Sequence, residues 1–261
     1  MTDGHSTPEV WLVDVDRTLA AALALEAASP RLSAADRERA DKLGAGRERW
    51  LALRTILRVL LERHIGSAVR GAAFTIVAGG RPIIPWPTDV QFSLSHSDAH
   101  ALIAIARGPV GVDLEGAREV CFSEARDLAI RAAAIGAGGA PLPSGDIRDA
   151  ISTLQAWVRL EAWAKARGSG IGRLLSDLGI WGPRRVTDGL AGTLRRADEV
   201  LRQDALAVVD LALSTGLYAA LAHRHHAARS IAVHPFPVTL PAIQELERTQ
   251  ARPVASQFIA T

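Results

Sequence analysis

The chain has 261 residues, 48% of them hydrophobic and 22% charged, which is enough apolar material for one large core or two smaller ones. No apolar run reaches the roughly 18 residues of a membrane span, and the N-terminal MTDGHSTPEV lacks a basic region followed by an apolar one. Neither a span nor a signal peptide is therefore expected, and the chain reads as cytoplasmic. A net charge of +2 argues against a nucleic-acid binder despite a pI of 9.2, and the single cysteine, Cys121, excludes an intrachain disulfide and a cysteine-rich zinc site.

Residues 9–16 (EVWLVDVD) read as an opening strand, and Ser33 followed three positions later by Asp36 can cap a short helix. Across residues 47–64 Trp50, Leu53, Ile56, Leu57, Leu60 and Leu61 recur at helical spacing. Cations crowd this region: Arg37, Arg39, Lys42, Arg47, Arg49, Arg54 and Arg58, with Arg81 in the turn Gly79-Gly80-Arg81-Pro82. Strands are expected at 73–77, 90–95, 99–106 and 110–115. Helices follow near 122–134 and 146–166, then strands around 205–213, 217–222 and 231–233. The stretch 217–224 echoes the AHALIAIAR of 99–107, while 132–145 (AAAIGAGGAPLPSG) is small and turn-rich and reads as a loop or helix end.

Chemistry concentrates at Phe92-Ser93-Leu94-Ser95-His96-Ser97 and Val110-Gly111-Val112-Asp113-Leu114-Glu115. Strand residues alternate faces, so Asp113 and Glu115 project to one side and Leu114 to the other. Two neighbouring carboxylates repel unless a cation lies between them, and oxygen ligands suit a hard divalent ion such as Mg²⁺. A bare D-x-E is more often a solvated strand end. A third element changes that balance: in Trp157-Val158-Arg159-Leu160-Glu161-Ala162-Trp163-Ala164-Lys165, Glu161 and Lys165 are four apart and share a helix face. Lys165 is also one of only two lysines among thirty Lys and Arg residues. His223, His225 and His226 lack companion ligands and are not read as a metal site; Gly44-Ala45-Gly46 and Gly168-Ser169-Gly170 follow no strand and are not phosphate loops.

In this order and spacing the three motifs resemble the signature of the 4′-phosphopantetheinyl transferases of the two-half, monomeric Sfp type, over roughly residues 30 to 225. The resemblance implies an α+β fold of two similar α/β halves related by a pseudo-twofold, with the active site in the cleft between them. Residues 1–108 would form the half that contacts coenzyme A phosphates and 109–234 the half with the metal site and motif helix, leaving 235–261 as an extension of unread role. It implies Mg²⁺-dependent transfer of the phosphopantetheine arm of coenzyme A to a serine of an apo acyl, peptidyl or aryl carrier protein, with release of adenosine 3′,5′-bisphosphate. Fatty acid, polyketide or nonribosomal peptide synthesis would be served, with no nucleic-acid or membrane partner.

By the same resemblance Asp113, Glu115 and Glu161 are the metal ligands, and Lys165 and His96 contact phosphate. Arg49 would meet the 3′-phosphate of coenzyme A, with Arg54 and Arg81 nearby and Arg37 and Arg39 weaker matches. The attacking serine needs a base, for which Glu161 is the candidate, directly or through a metal-bound water. One departure is Leu160, where the family carries a lysine; Arg159 points about a hundred degrees away on a helix and does not replace it. This motivates an alternative, a non-catalytic coenzyme A or carrier-binding relative, against which the intact acid triad speaks. Sharing a stripe with Glu161, Leu160 is expected to face the cleft.

Overall fold

The computed structural model describes residues 7–140, 143–181, 189–224 and 231–249. His225, His226, part of the 132–145 stretch and the last residues of the C-terminal extension lie outside them. Strand β1 (Glu9–Asp14) stops two residues earlier than its apolar run suggests, because the Asp14 carboxylate accepts the Arg17 amide at 3.0 Å and caps helix α1 (Val15–Ala28). Helix α2 (Ala34–Asp41) opens on the expected cap, a reciprocal box in which Ser33 and Asp36 each accept from the other's backbone. Helix α3 (Arg47–Ile65) follows as its apolar periodicity requires, then the two-residue arms β2 (Thr75–Ile76) and β3 (Pro82–Ile83).

Three longer strands come next: β4 (Val90–Ser97), β5 (His100–Arg107) and β6 (Val110–Gly116). Helix α4 (Glu124–Ala137) runs through the first residues of the stretch expected as a loop, since its small residues are packing surface: a Cβ on Gly136 would lie 2.9 Å from the Leu194 carbonyl oxygen. The helix expected over 146–166 is two, α5 (Ile147–Ala150) and α6 (Thr153–Arg167). Ile151 is extended between them, and the Ser152 hydroxyl accepts the Gln155 amide at 3.1 Å to start α6 afresh. Helices α7 (Ile171–Asp177) and α8 (Gly189–Asp204) precede strands β7 (Leu206–Asp210) and β8 (Leu217–Arg224), and the described chain closes with β9 (Val233–Pro235) and α9 (Leu240–Arg248).

The result is a mixed α+β architecture. One sheet has the order β4-β5-β1-β9, antiparallel except for the parallel pair β1/β9; a second is the antiparallel β6-β8-β7; β2 and β3 form a separate hairpin. Alternation sorts the strands cleanly. On β5, Ala101, Ile103 and Ile105 join the core beneath α1, α3 and α9, whereas Leu102, Ala104 and Ala106 face Val110, Val112 and Leu114 of β6 in a core between the two sheets. The other face of the second sheet is covered by α4, α6 and α8. Phe236 and Ile243, beyond β9, are buried in the first core, and Arg31 pairs with Glu247 of α9, so the chain returns to the first sheet after completing the second.

Two close approaches set the distance between elements at the site. A Cβ on Gly111 would come within 2.1 Å of the Ala162 carbonyl oxygen and 2.3 Å of the Ala166 nitrogen, so only glycine lets α6 lie this close to β6. Gly79, with φ +93°, stands where a Cβ would meet the Gly168 carbonyl oxygen at 2.7 Å, which seats the β2–β3 turn against the end of α6. Among the described residues no helix is long and apolar enough to cross a membrane.

Candidate active site

The alternation of F-S-L-S-H-S places its two sets of residues on opposite faces of β4. Phe92 and Leu94 pack under α3, and His96 continues that face into a cleft of about 410 Å³. Trp50, Leu53 and Arg54 of α3 form one wall, the turn Gly79-Gly80-Arg81-Pro82 another, and Glu161, Ala164, Lys165 and Gly168 of α6 a third. The serines point the other way, toward β6: Ser93 Oγ accepts the Val112 amide at 3.1 Å and Ser97 Oγ the Gly116 amide at 3.0 Å.

The middle serine meets the acids. Ser95 Oγ donates to Asp113 Oδ1 at 2.8 Å, Lys165 Nζ donates to the same oxygen at 2.7 Å, and Lys165 Nζ lies 3.0 Å from Ser95 Oγ. Asp113 is buried, and its second oxygen, Oδ2, has no hydrogen-bond partner. Glu161 faces the cleft and makes no hydrogen bond among the described residues. Burial, then the nearby Asp113 charge, push the Glu161 carboxyl above its ordinary value; Lys165 opposes this in part and Glu115 adds to it. Glu115 is turned to Arg118, at 3.0 and 3.2 Å.

The three expected metal ligands thus sense one another electrostatically, yet among the described residues no three His, Cys, Asp or Glu side chains close around a metal position. The donor set nevertheless fits a hard divalent cation: all the oxygens are carboxylate, one of them is buried and unpartnered, and the site's own electrostatics resist a second negative charge at Glu161.

The arginines separate into two groups. Arg54 and Arg81 line the cleft, and burial lowers both guanidiniums from their ordinary value, leaving cations short of water. Arg54 lies over the Trp50 ring at 5.0 Å and only 3.9 Å from Asp36, whereas Arg81 is held by Gln91 Oε1 at 2.5 Å and the Ala166 carbonyl at 3.2 Å. Arg49, by contrast, is exposed, pairs with Asp16 of α1 and is not among the residues lining the cleft. His96 is exposed and lines it.

Leu160 does not face the cleft. It is fully buried, with Val158 and Ala164, in the apolar cluster that α4, α6 and α8 form over the outer face of the second sheet, while Glu161 and Lys165 line the cleft. The missing lysine therefore takes nothing from the cleft wall as it stands. Reading from sequence passed over Ser95; the strict alternation of its segment was the available signal, since it sets three hydroxyls on the face opposite His96.

No family model matches the chain. Among curated proteins it is 34% identical over 180 residues to the L-aminoadipate-semialdehyde dehydrogenase-phosphopantetheinyl transferase of Eremothecium gossypii, covering 66% of this chain and 63% of that protein. It is 28% identical over 116 residues to a Synechocystis sp. protein provisionally named a 4′-phosphopantetheinyl transferase, covering 41% of this chain and 44% of the relative. The chain therefore spans less than two thirds of the length of either relative.

Proposed function

From its place in the 4′-phosphopantetheinyl transferase superfamily, to which the chain belongs, we propose that it moves the phosphopantetheine arm of coenzyme A onto a serine of an apo carrier protein and releases adenosine 3′,5′-bisphosphate. The observation that carries this reading is the meeting of Asp113, Ser95 and Lys165 beside Glu161, at the edge of a cleft that also holds Arg54, Arg81 and His96. In its support, carboxylates able to hold a cation and four basic side chains able to meet phosphates border one space.

In the proposed reaction the serine oxygen bonds to the β-phosphorus of coenzyme A, and the bond from that phosphorus to the bridging oxygen breaks, leaving with the adenosine 3′,5′-bisphosphate. The serine proton passes to Glu161, the carboxylate that lines the cleft. Lys165 and His96 supply positive charge or donors to the phosphates in the cleft, and Arg54 and Arg81 hold the diphosphate against its wall. Asp113, Glu115 and Glu161 would hold Mg²⁺, which polarises the phosphoryl group and offsets charge on the leaving oxygen.

The two-half arrangement belongs to the same proposal. In its favour, β5 and β8 carry related sequences, each is flanked by two antiparallel neighbours, and α3 and α6 cover the outer faces of their respective sheets. We place the protein in the cytoplasm as a monomer. Intact-mass measurement of a panel of apo acyl, peptidyl and aryl carrier proteins, incubated with coenzyme A and Mg²⁺, tests the reading directly. Gain of one phosphopantetheine on at least one carrier is expected, and no gain on any of them overturns it.

A further inference from the structure

The three serines on the β6-facing side of β4 do different work. Ser93 and Ser97 accept backbone amides of β6. The two strands belong to different sheets, and these bonds stand in for the ladder that would join paired neighbours. Ser95 spends its hydroxyl on side chains instead. Its one proton goes to Asp113 Oδ1 at 2.8 Å, a carboxylate that can only accept, so the 3.0 Å contact with Lys165 must run from the ammonium to the serine. Lys165 also donates to Asp113 Oδ1 at 2.7 Å, which closes a three-membered ring of fixed polarity.

Lys165 lies on the cleft wall at the end of a flexible stem, whereas Ser95 is buried and is not among the residues lining the cleft. We infer that Ser95 is a positioning residue for the proposed transfer: its hydroxyl locks the Lys165 ammonium and the Asp113 carboxylate in one mutual orientation and acts through them. This rests on the transferase reading. Without the hydroxyl a single contact remains between lysine and aspartate, about which both side chains can turn. Oδ1 then loses one of its two donors, and nothing selects which Asp113 oxygen stays unpartnered.

The test uses the full chain with Ser95→Ala, Ser95→Thr and, as a control on the same strand face, Ser97→Ala. Expected for Ser95→Ala is a fall in kcat of about tenfold or more, with KM for coenzyme A changed by less than about threefold, the signature of lost alignment. Ser95→Thr keeps the hydroxyl and recovers most of kcat; Ser97→Ala lowers the melting temperature and leaves kcat within about twofold.

A second readout needs no turnover. Lys42 and Lys165 are the only lysines, and Lys42 is an exposed partner of Glu38, so competitive acetic anhydride labelling read by mass spectrometry carries its own reference. An ammonium held by two acceptors must release them before its nitrogen can attack. The Lys165 to Lys42 ratio should therefore rise about threefold or more in Ser95→Ala and stay unchanged in Ser97→Ala. If the wild type transfers to a carrier while Ser95→Ala keeps its kcat, or its labelling ratio does not move, the positioning role is overturned and the transferase reading stands. If the wild type transfers nothing, the transferase reading fails and takes the role of Ser95 with it.

Discussion

Asp36 and Asp113 are both buried aspartates with a cationic partner, and they differ in how many donors meet them and in what lies by the second oxygen. Asp36 Oδ2 accepts the Ser33 amide at 3.1 Å, the Ser33 hydroxyl at 2.9 Å and Arg58 Nε at 3.1 Å, and Arg58 also reaches it through Nη2. The same fully buried guanidinium donates to the carbonyls of Val69 and Ala72. Among the described residues Asp36 Oδ1 takes no hydrogen bond but stands 3.9 Å from the Arg54 guanidinium; around Asp113 only two donors are present, both on Oδ1, and the buried Oδ2 has no hydrogen-bond partner. Glu62 Oε1 also lacks a hydrogen bond, but it stands 3.1 Å from the Arg31 guanidinium. A buried charge in this molecule does not by itself mark a site. What distinguishes Asp113 is a buried oxygen without a hydrogen-bond partner on a carboxylate that stands with Lys165 beside the cleft-facing Glu161.

Disturbing the two aspartates should have opposite consequences for stability and for activity. Arg58→Met leaves Asp36 charged, buried and short of its cation, and should cost about 3–5 kcal/mol in chemical denaturation. Asp113→Asn removes the charge but keeps an oxygen for Ser95 and Lys165, and the Lys165 side chain is 32% exposed, so water can take up its ammonium. Its stability should change by less than about 1 kcal/mol, while carrier modification falls at least about a hundredfold. Equal losses of stability in the two variants would erase the distinction between a closed ion pair and an open site.

Leu160→Lys sharpens the same point from the apolar side. In the apolar cluster under α4 and α8 an ammonium would be buried away from water, so a loss of several kcal/mol in melting or denaturant experiments is expected, with no gain in coenzyme A affinity. Unchanged stability together with tighter coenzyme A binding would return Leu160 to the cleft.

Period-two and period-3.6 patterns made much of this legible. They placed Asp113 and Glu115 away from Leu114, the α3 stripe in the first core, and Glu161 with Lys165 on one face. They failed where alanine and glycine carry the packing. Helices α1 and α8 were not foreseen, and Ala132–Ala134 of α4 are fully buried although their composition suggests a turn, because a small-residue face has meaning only against its partner. Pattern also could not say which side of the α6 stripe would close. Leu160 and Glu161 are adjacent, and the apolar surface of α4 and α8 that takes in Leu160 while Glu161 lines the cleft is visible only in the assembled fold. The arginines were countable but not assignable, since Asp16, which takes Arg49, sits in a helix that the pattern did not reveal.

Glu9 is a second closed carboxylate on the first sheet, and pH can open it. Burial alone would raise its pKa, but hydrogen bonds from His64 and Arg63, each at 2.6 Å, outweigh that and lower it from 4.5 to about 2. A depressed carboxylate pKa adds stability above the unfolded-state value, and that stability is lost as pH falls toward the folded-state value. The stability difference between wild type and Glu9→Gln should be on the order of 3 kcal/mol near neutral pH and shrink steadily from about pH 4.5 to about pH 2. A difference that stays flat across this window would show that the contacts of Glu9 contribute nothing through its charge.

Arg49 sits in an open, solvated ion pair. Its pair with Asp16 is exposed on both sides, at 48% and 49%, and among the described residues its other side-chain hydrogen bond is to the Asp98 carbonyl oxygen at 3.5 Å. Arg49→Ala should therefore change stability by less than about 1 kcal/mol. For Arg49 to read the 3′-phosphate of coenzyme A it must leave Asp16, exchanging one exposed ionic contact for another. The gain is then smaller than the roughly 1.5–3 kcal/mol of a hydrogen bond to a charged group formed without such an exchange. We expect Arg49→Ala to weaken coenzyme A by about 1 kcal/mol, less at high salt, and to leave dephospho-coenzyme A, which lacks that phosphate, unaffected. Titrating both ligands into wild type and variant separates the cases. Equal weakening of the two would remove Arg49 from 3′-phosphate recognition, and the cleft-lining Arg54 and Arg81 would then be the remaining arginines to test against the same pair of ligands.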